Sequence, residues 1–379
     1  ATCSVSRPSS GISPPVALDR REVRRAALLG VLEAEGVDGL IVTHLPNVRY
    51  LTGFTGSAGV AVVLRTATLF VSDFRYRTQA EAEVGSAARI EIVSTDVWQR
   101  LWKLLPEYSG VEVLGFESDA VTVKTAERFA AAGLKTRFRP VSGLVESLRA
   151  KKDAAEVEAI RAAATLATEA LEATWPMVRV GVTEQEVAAT LEAELRRRGS
   201  EWHPFPTIVA SGPRSALPHA HTSARPIGVG EWLLVDFGAQ LDGYCADLTR
   251  TVVVGAPADE RQQAVYELVR EAQYHARTAI HAGMTGREAD ALARNPITAR
   301  GFGDAFGHSL GHGLGLEVHE APRVSSASTD PLPEGAVVTI EPGVYLPGWG
   351  GVRLEDDVLL GPGGPVLLSD GRTDLRELS

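Results

Sequence analysis

Three short segments between Asp236 and Glu355 carry the residue types that hold divalent metal ions. The first, Val235-Asp236-Phe237-Gly238, is followed by Asp247-Leu248-Thr249-Arg250. The second is Gly307-His308-Ser309-Leu310-Gly311-His312-Gly313, with His319 beyond it. The third joins Ile340-Glu341-Pro342-Gly343 to Arg353-Leu354-Glu355-Asp356-Asp357. Two Asp, two Glu and at least one His suit a pair of divalent cations, and the chemistry they point to is metal-assisted hydrolysis.

Such residues work only if the backbone brings them together. Trp232–Gln240 and Tyr244–Val254 read as strands joined through Asp242-Gly243, a strong two-residue hairpin signal. With that turn, Asp236 pairs with Thr249 and Gly238 with Asp247, so the two aspartates lie diagonally on one face. Val337–Tyr345 and Gly351–Leu360 flank a loop around Gly348, which sets Glu341 close to opposite Glu355. Two hairpins would then turn four acids toward one surface. Singly, each acid also reads as an ordinary surface residue. Their neighbours Val337, Val338, Ile340, Leu354 and Val358 are apolar, however, and a carboxylate on a buried strand needs a charge partner or a metal.

His308 and His312 have the spacing of two ligands on one helical turn. The glycines between Gly303 and Gly315 argue against a helix, so the two need not share a role. A lone histidine is most often a satisfied core or surface residue, and His44, His275 and His281 are read that way. Mixed carboxylate and imidazole donors favour Mn, Co, Fe or Zn, with the carboxylate excess leaning toward Mn; spacing alone does not choose.

The chain of 379 residues is long enough for two domains. Residues 1–17, rich in Ser and Pro, read as a flexible extension. Order is expected from Asp19, a helix cap, to a stop at Gly36, followed by alternating strands and helices that make residues 18–144 an α/β layer domain. One long helix is expected over Val145–Val178, with Lys151-Lys152 on a solvated hinge face at the domain boundary. Helices over Thr183–Arg198 and Ala258–Ala282, with the strands above, make residues 145–379 an α+β domain of helices packed on a curved antiparallel sheet.

A net charge of −10 argues against nucleic acid as a partner. Cys3 and Cys245 are the two cysteines, which fits a reducing compartment better than a disulfide framework. No apolar run approaches the ~20 residues of a membrane span, and a signal peptide is not expected. A cytoplasmic location without membrane contact is the expectation.

Asp236 and Asp247 in VDFGAQLDGYCADLTRT, His312 in FGHSLGHGLGLEVHE, Glu341 in TIEPGVY and Glu355 in GVRLEDDV resemble the pita-bread metallopeptidases, which include prolidases (Xaa-Pro dipeptidases) and aminopeptidases P. GFTGSAGVAVV and LFVSDFRYRTQAEAE look like the creatinase-type amino-terminal domain of the same proteins. The resemblance implies that Asp236 binds one ion, that His312 and Glu341 bind the other, and that Asp247 and Glu355 bridge both. It makes Glu341 the proton shuttle, and gives His219, His308 and His319 the task of positioning substrate and stabilising the oxyanion. His221, close to His219, competes for that histidine's position. Arg353 and Thr249 are implied as partners of Glu355 and the aspartates.

The implied activity is hydrolysis of the Xaa-Pro bond in small peptides with proline at the second position, by a homodimer holding two divalent ions per subunit. Prolidase is the leading reading, and aminopeptidase P, acting on longer peptides, is the alternative. A non-catalytic binding protein on the same fold is the alternative of a different class, and the five retained ligand positions weigh against it. One feature departs from the strict dipeptidases: between His319 and Glu341 the only arginine is Arg323, which by count stands too early to grip a proline carboxylate.

Overall fold

A computed structural model describes residues 19–369 and 372–379. The extension expected over 1–17, with Cys3, lies outside them. The chain divides after Leu148 into two compact units.

In the first unit, the Asp19 side chain accepts the Arg21 N–H and caps α1 (Arg20–Glu35), which Gly36 ends in the left-handed conformation. β1 (Gly39–Val42), α2 (Leu45–Thr52), β2 (Val60–Leu64), β3 (Thr68–Asp73), α3 (Arg77–Glu83), β4 (Arg89–Val93), α4 (Val97–Leu104), β5 (Val113–Glu117), α5 (Val123–Ala130) and β6 (Arg137–Val141) follow. The strands form one mixed sheet in the order β4-β3-β2-β1-β5-β6. Leu101, Leu104 and Phe129 pack on Val62, Leu69, Val71 and Leu114 of that sheet, as an α/β layer requires. Sequence reasoning missed α2, in which Asn47, Val48, Tyr50, Leu51 and Thr52 are all buried. A short helix buried on most sides shows no apolar stripe.

The single helix expected over Val145–Val178 is in fact two. α6 (Leu144–Arg149) stops, and the Asp153 side chain starts α7 (Ala154–Thr174) by accepting the Ala155 and Glu156 N–H groups while Glu156 reaches back to the Asp153 N–H. Between them Lys152 is buried rather than solvated: its N–H donates to the Gly335 carbonyl at 2.9 Å and its Nζ lies 2.7 Å from Glu320 Oε1. Lys151 is exposed, as expected; Lys152 looked so too because its partner is so distant in sequence.

α8 (Glu184–Arg197) opens on the expected capping box of Thr183 and Glu186. Then come β7 (Ile208–Ser211), β8 (Glu231–Leu241), β9 (Tyr244–Val254), α9 (Glu260–Ala279), α10 (Gly286–Ala299), β10 (Gly311–Gly313), β11 (Glu320–Val324), β12 (Val337–Ile340), β13 (Gly343–Leu346), β14 (Gly350–Arg353), β15 (Asp356–Gly361), β16 (Gly364–Leu367) and β17 (Glu377–Leu378). They form sheets in the orders β17-β9-β8-β7 and β11-β10-β12-β15-β16, with β13-β14 as a separate pair. Pairing in the described residues of this unit is antiparallel except between β17 and β9.

Two helix pairs cover these sheets. Leu166, Ala170, Leu191 and Leu195 of α7 and α8 bury against Leu233, Val235, Phe237 and Leu248. Val265, Val269, Ala293 and Ile297 of α9 and α10 bury against Val338, Ile340, Val352 and Val358. Each such leucine, isoleucine, valine or phenylalanine contributes roughly 1.5–3 kcal/mol by leaving water. Among the described residues no helix is long and apolar enough to cross a membrane.

Candidate metal centre

The β8–β9 hairpin has the register expected from its turn. Leu241 pairs with Tyr244 across Asp242 (φ 49°) and Gly243 (φ 74°), the two left-handed residues of a type I′ turn. Asp236 therefore faces Thr249 and Asp247 faces Gly238.

The second pair of acids is placed differently in detail. The two strands expected there are each interrupted, β12 giving way to β13 and β14 to β15. Pro342 has no N–H to donate, so the ladder cannot run through it. Ile340 pairs with Asp356 on one side of the break and Gly343 with Arg353 on the other. Carrying that register through the gap sets Glu341 opposite Glu355. Freed from the ladder, their backbones bond elsewhere: Glu341 N donates to Leu310 O at 2.8 Å and Glu355 N to Thr249 O at 3.2 Å. The Thr249–Glu355 bridge fastens the two hairpins together, and Thr249 Oγ1 donates to Glu355 Oε2 at 2.6 Å.

Close approach of strands explains the glycines around His312. A Cβ at Gly311 would fall 1.9 Å from the Thr339 carbonyl oxygen, and one at Gly313 would fall 2.2 Å from that of Ala321. The segment is the strand β10, not a helix, so His308 and His312 part company. His308 lies on the preceding loop, which α10 anchors. Arg294 donates to the Phe306 and His308 carbonyls at 2.7 Å, and Asp290 accepts the Leu310 N–H at 3.0 Å. α10 itself escaped the sequence reading, although Thr285 and Glu288 form a capping box at its start.

His312 Nε2 lies 3.7 Å from Asp247 Oδ2 and 3.5 Å from Glu341 Oε1. Its Nδ1 lies 3.1 Å from the Gly313 carbonyl oxygen, which assigns the proton to Nδ1 and leaves Nε2 a lone pair facing the acids. Donor atoms of Asp247, His312 and Glu355 fall within 4.8 Å of one another. Burial, then repulsion from Glu355, pushes the Asp247 and Glu341 carboxyls well above their usual range. Burial and Asp236 push Glu355 up to about 8. Asp236 Oδ1 and Asp247 Oδ1 are buried without a hydrogen-bond partner. Carboxyls at this depth hold their charge only beside compensating cations, and unpartnered oxygens among mixed O and N donors fit divalent metal ions.

Around these donors, Arg353 is buried and donates from Nη2 to Asp236 Oδ2, from Nε to Thr249 Oγ1 at 3.1 Å, and from Nη1 to the Tyr345 hydroxyl at 2.7 Å. Burial opposes its charge, but Tyr345 and Asp236 more than restore it. The Tyr345 hydroxyl lies 2.8 Å from His308 Nε2, and His308 Nδ1 lies 2.8 Å from the Ser309 carbonyl oxygen. Both His308 nitrogens are thus engaged within the protein, while the residue also lines the cavity. Burial, then the Arg353 charge, lowers its pKa to about 4.

Tyr345 was missed by sequence reasoning. Its parity with Glu341 along the strand was the available signal. Thr339, whose Oγ1 accepts the His312 N–H at 3.1 Å, and Asp357, whose Oδ2 accepts the Asp247 N–H at 3.2 Å, were missed too.

His319 packs its ring edge-on against His312, centroids 4.3 Å apart. His219 and His221 both line the cavity. Arg323 pairs with His312 across β10 and β11, and its charge reaches His319. The strand register thus sets it opposite His312.

The cavity above these groups has a volume of about 600 Å³, with Phe205, Pro206, Ile208 and Pro218 as its apolar wall. Four carboxyls and an imidazole beneath an apolar cavity have the donor chemistry of a metal-dependent hydrolase. The model of metallopeptidase family M24 matches residues 158–362, and that of the creatinase/prolidase N-terminal domain matches residues 24–151. The chain belongs to metallopeptidase family M24.

It is 43% identical over 325 residues to the uncharacterized peptidase YqhT of Bacillus subtilis (strain 168), covering 86% of this chain and 91% of that protein. An Xaa-Pro dipeptidase structure from Bacillus anthracis superposes with a TM-score of 0.91 at 40% identity, covering 94% of this chain and 100% of the other. The X-Pro aminopeptidase of Thermotoga maritima superposes with a TM-score of 0.85 at 36% identity, covering 93% and 99%.

Proposed function

We propose that this chain hydrolyses the bond between an amino-terminal residue and proline, acting as an Xaa-Pro dipeptidase. The convergence of Asp236, Asp247, His312, Glu341 and Glu355 beneath one cavity carries this reading, together with the likeness to the Bacillus anthracis dipeptidase. In it Asp236, Asp247, His312, Glu341 and Glu355 would together hold two divalent ions. The carboxylate excess of the donors favours manganese, with cobalt or zinc as substitutes. When bound, the ions lower the pKa of a water and polarise the scissile carbonyl.

Glu341 takes a proton from the attacking water and delivers it to the proline nitrogen, a tertiary amide nitrogen that leaves only when protonated. Its position between His312 and His308, with Oε2 4.0 Å from His308 Nδ1, keeps it facing the cavity. His219 and His319 donate to the oxygen on which charge develops. His308 acts at one remove, fixing Tyr345 and through it Arg353. Phe205, Pro206 and Ile208 offer the proline ring an apolar seat. Arg323, brought opposite His312 by the strand register, is the candidate to meet a free proline carboxylate.

The test is hydrolysis of Ala-Pro against a longer Xaa-Pro peptide by the Mn-loaded protein. Preference for Ala-Pro supports the dipeptidase. Equal or better cleavage of the longer peptide replaces it with the aminopeptidase reading, which the likeness to the Thermotoga maritima enzyme keeps in play. Fewer than one ion per chain after Mn or Co reconstitution would instead favour a non-catalytic binding protein. A homodimer in the cytoplasm completes the proposal, and the solution mass tests the dimer.

A further inference from the structure

We infer that Arg149 and Lys152, two residues with no part in the chemistry, are positioning residues that clamp the strand entry carrying His319. The inference rests on the reading that His319 meets the substrate.

His319 lines the cavity, whereas Glu320, the next residue, opens β11 and is not part of that lining. The Glu320 carboxylate is 5% exposed, and it is met by Lys152 Nζ at 2.7 Å and by Arg149 Nη2. The Lys152 side chain is 1% exposed and that of Arg149 2%. The same Arg149 Nη2 reaches Glu317 Oε2 at 2.8 Å. One guanidinium therefore grips the chain on both sides of His319. Two cations thus face two carboxylates. Gly315 leaves the room this needs, since a Cβ there would fall 2.5 Å from Glu320 Oε1.

Energy alone does not account for such a cluster. A buried ion pair rarely adds net stability over apolar residues of the same volume, whereas breaking it leaves a costly lone charge. What it does supply is a single geometry. Here that geometry is the placement of the His319 ring against His312, on a turn whose start is held by the buried Leu314 and Leu316. The backbone supports agree with this: Cys245 N donates to Gly315 O at 2.8 Å, and Glu320 pairs with Gly313 where the β10–β11 register shifts. Arg149 ends α6 and Lys152 follows it in the break before α7, and both reach Glu320 from there.

The test compares the wild type with Lys152→Met/Glu320→Gln, which removes one cation and one carboxylate together, and with Glu317→Gln, which removes only the half-exposed anchor. The conservative Lys152→Arg is the rescue. In the metal-free proteins, amide exchange over residues 314–320 is expected to quicken about tenfold in the double variant and less in Glu317→Gln, with other segments unchanged. In the Mn-loaded proteins, kcat is expected to fall about 10- to 100-fold at nearly constant KM and metal content, and Lys152→Arg to recover most of it.

Wild-type exchange and kcat in a folded double variant would overturn the inference. If that variant does not fold, unchanged exchange and kcat in Glu317→Gln overturn it instead. His319→Ala separates the two readings: with no loss of activity in it, the role of His319 fails, while the exchange measurement still decides the clamp.

Discussion

Arg353 sets a full positive charge among four carboxyls and ties three of the site's groups to one guanidinium. Removing it leaves Asp236 without its buried partner and Thr249 without a donor to orient its hydroxyl toward Glu355. Arg353→Met is expected to weaken metal binding or activity by about 10- to 100-fold, the usual cost of losing a group that orients metal ligands. Calorimetric titration with Mn and steady-state kinetics read the two effects separately, and wild-type values in both would show that Arg353 only fills space.

His308 makes a pH prediction. Its pKa is about 4 in the folded protein, against about 6.5 in an unfolded chain. Between those values the unfolded state binds a proton that the folded state does not, so acid favours unfolding. Stability from this residue is complete above pH ~6.5 and is lost as pH falls toward ~4, about 2–3 kcal/mol by pH ~4.5. Metal-free His308→Asn should therefore lose less of its melting temperature between pH 7 and pH 4.5 than the metal-free wild type. Parallel acid slopes in the two proteins would remove the argument.

At the scale of elements, two nearby glycines should respond to replacement in opposite ways, because only one of them lies where strands pack closely. Gly311→Ala pushes a methyl to within 1.9 Å of the Thr339 carbonyl, whereas a Cβ at nearby Gly307 meets nothing within 4 Å. Gly311→Ala should cost about 1–3 kcal/mol through strand displacement, and should also disturb His312, while Gly307→Ala should be nearly neutral. Urea unfolding of the pair measures the contrast.

The elements also separate what local sequence could reveal from what it could not. The Asp242-Gly243 turn is a local device, and the register it sets followed from counting along two strands. The capping residues Asp19 and Thr183 acted within a few positions and were equally legible. By contrast, the interruption at Glu341-Pro342 depends on Leu310 and Thr249 accepting the backbone bonds that the ladder gives up. Those acceptors belong to other parts of the chain. The broken helix at Lys152 is the same case, decided by Glu320 and Gly335.

At the scale of the catalytic unit, two helix pairs each back a sheet, and each sheet brings acids to the same cavity. Cations at that junction would hold the halves together as well as serve the reaction. Removal of metal by a chelator is expected to abolish Xaa-Pro hydrolysis and lower the melting temperature, both restored by Mn or Co at two ions per chain. Restoration of full activity with a single ion per chain would revise the proposed pair of ions.

Sequence by itself determined the donor types, the hairpin that sets Asp236 and Asp247 on one face, α8 and α9 among the covering helices, and the family the chain resembles. These are short-range or pattern properties, written in alternation, turn residues and caps. Tertiary structure decided the rest. It engaged both nitrogens of His308, added Tyr345 to the Arg353 network, set Arg323 opposite His312 and buried Lys152 against Glu320. Each of these joins groups remote along the chain, and only the packed fold supplies their partners.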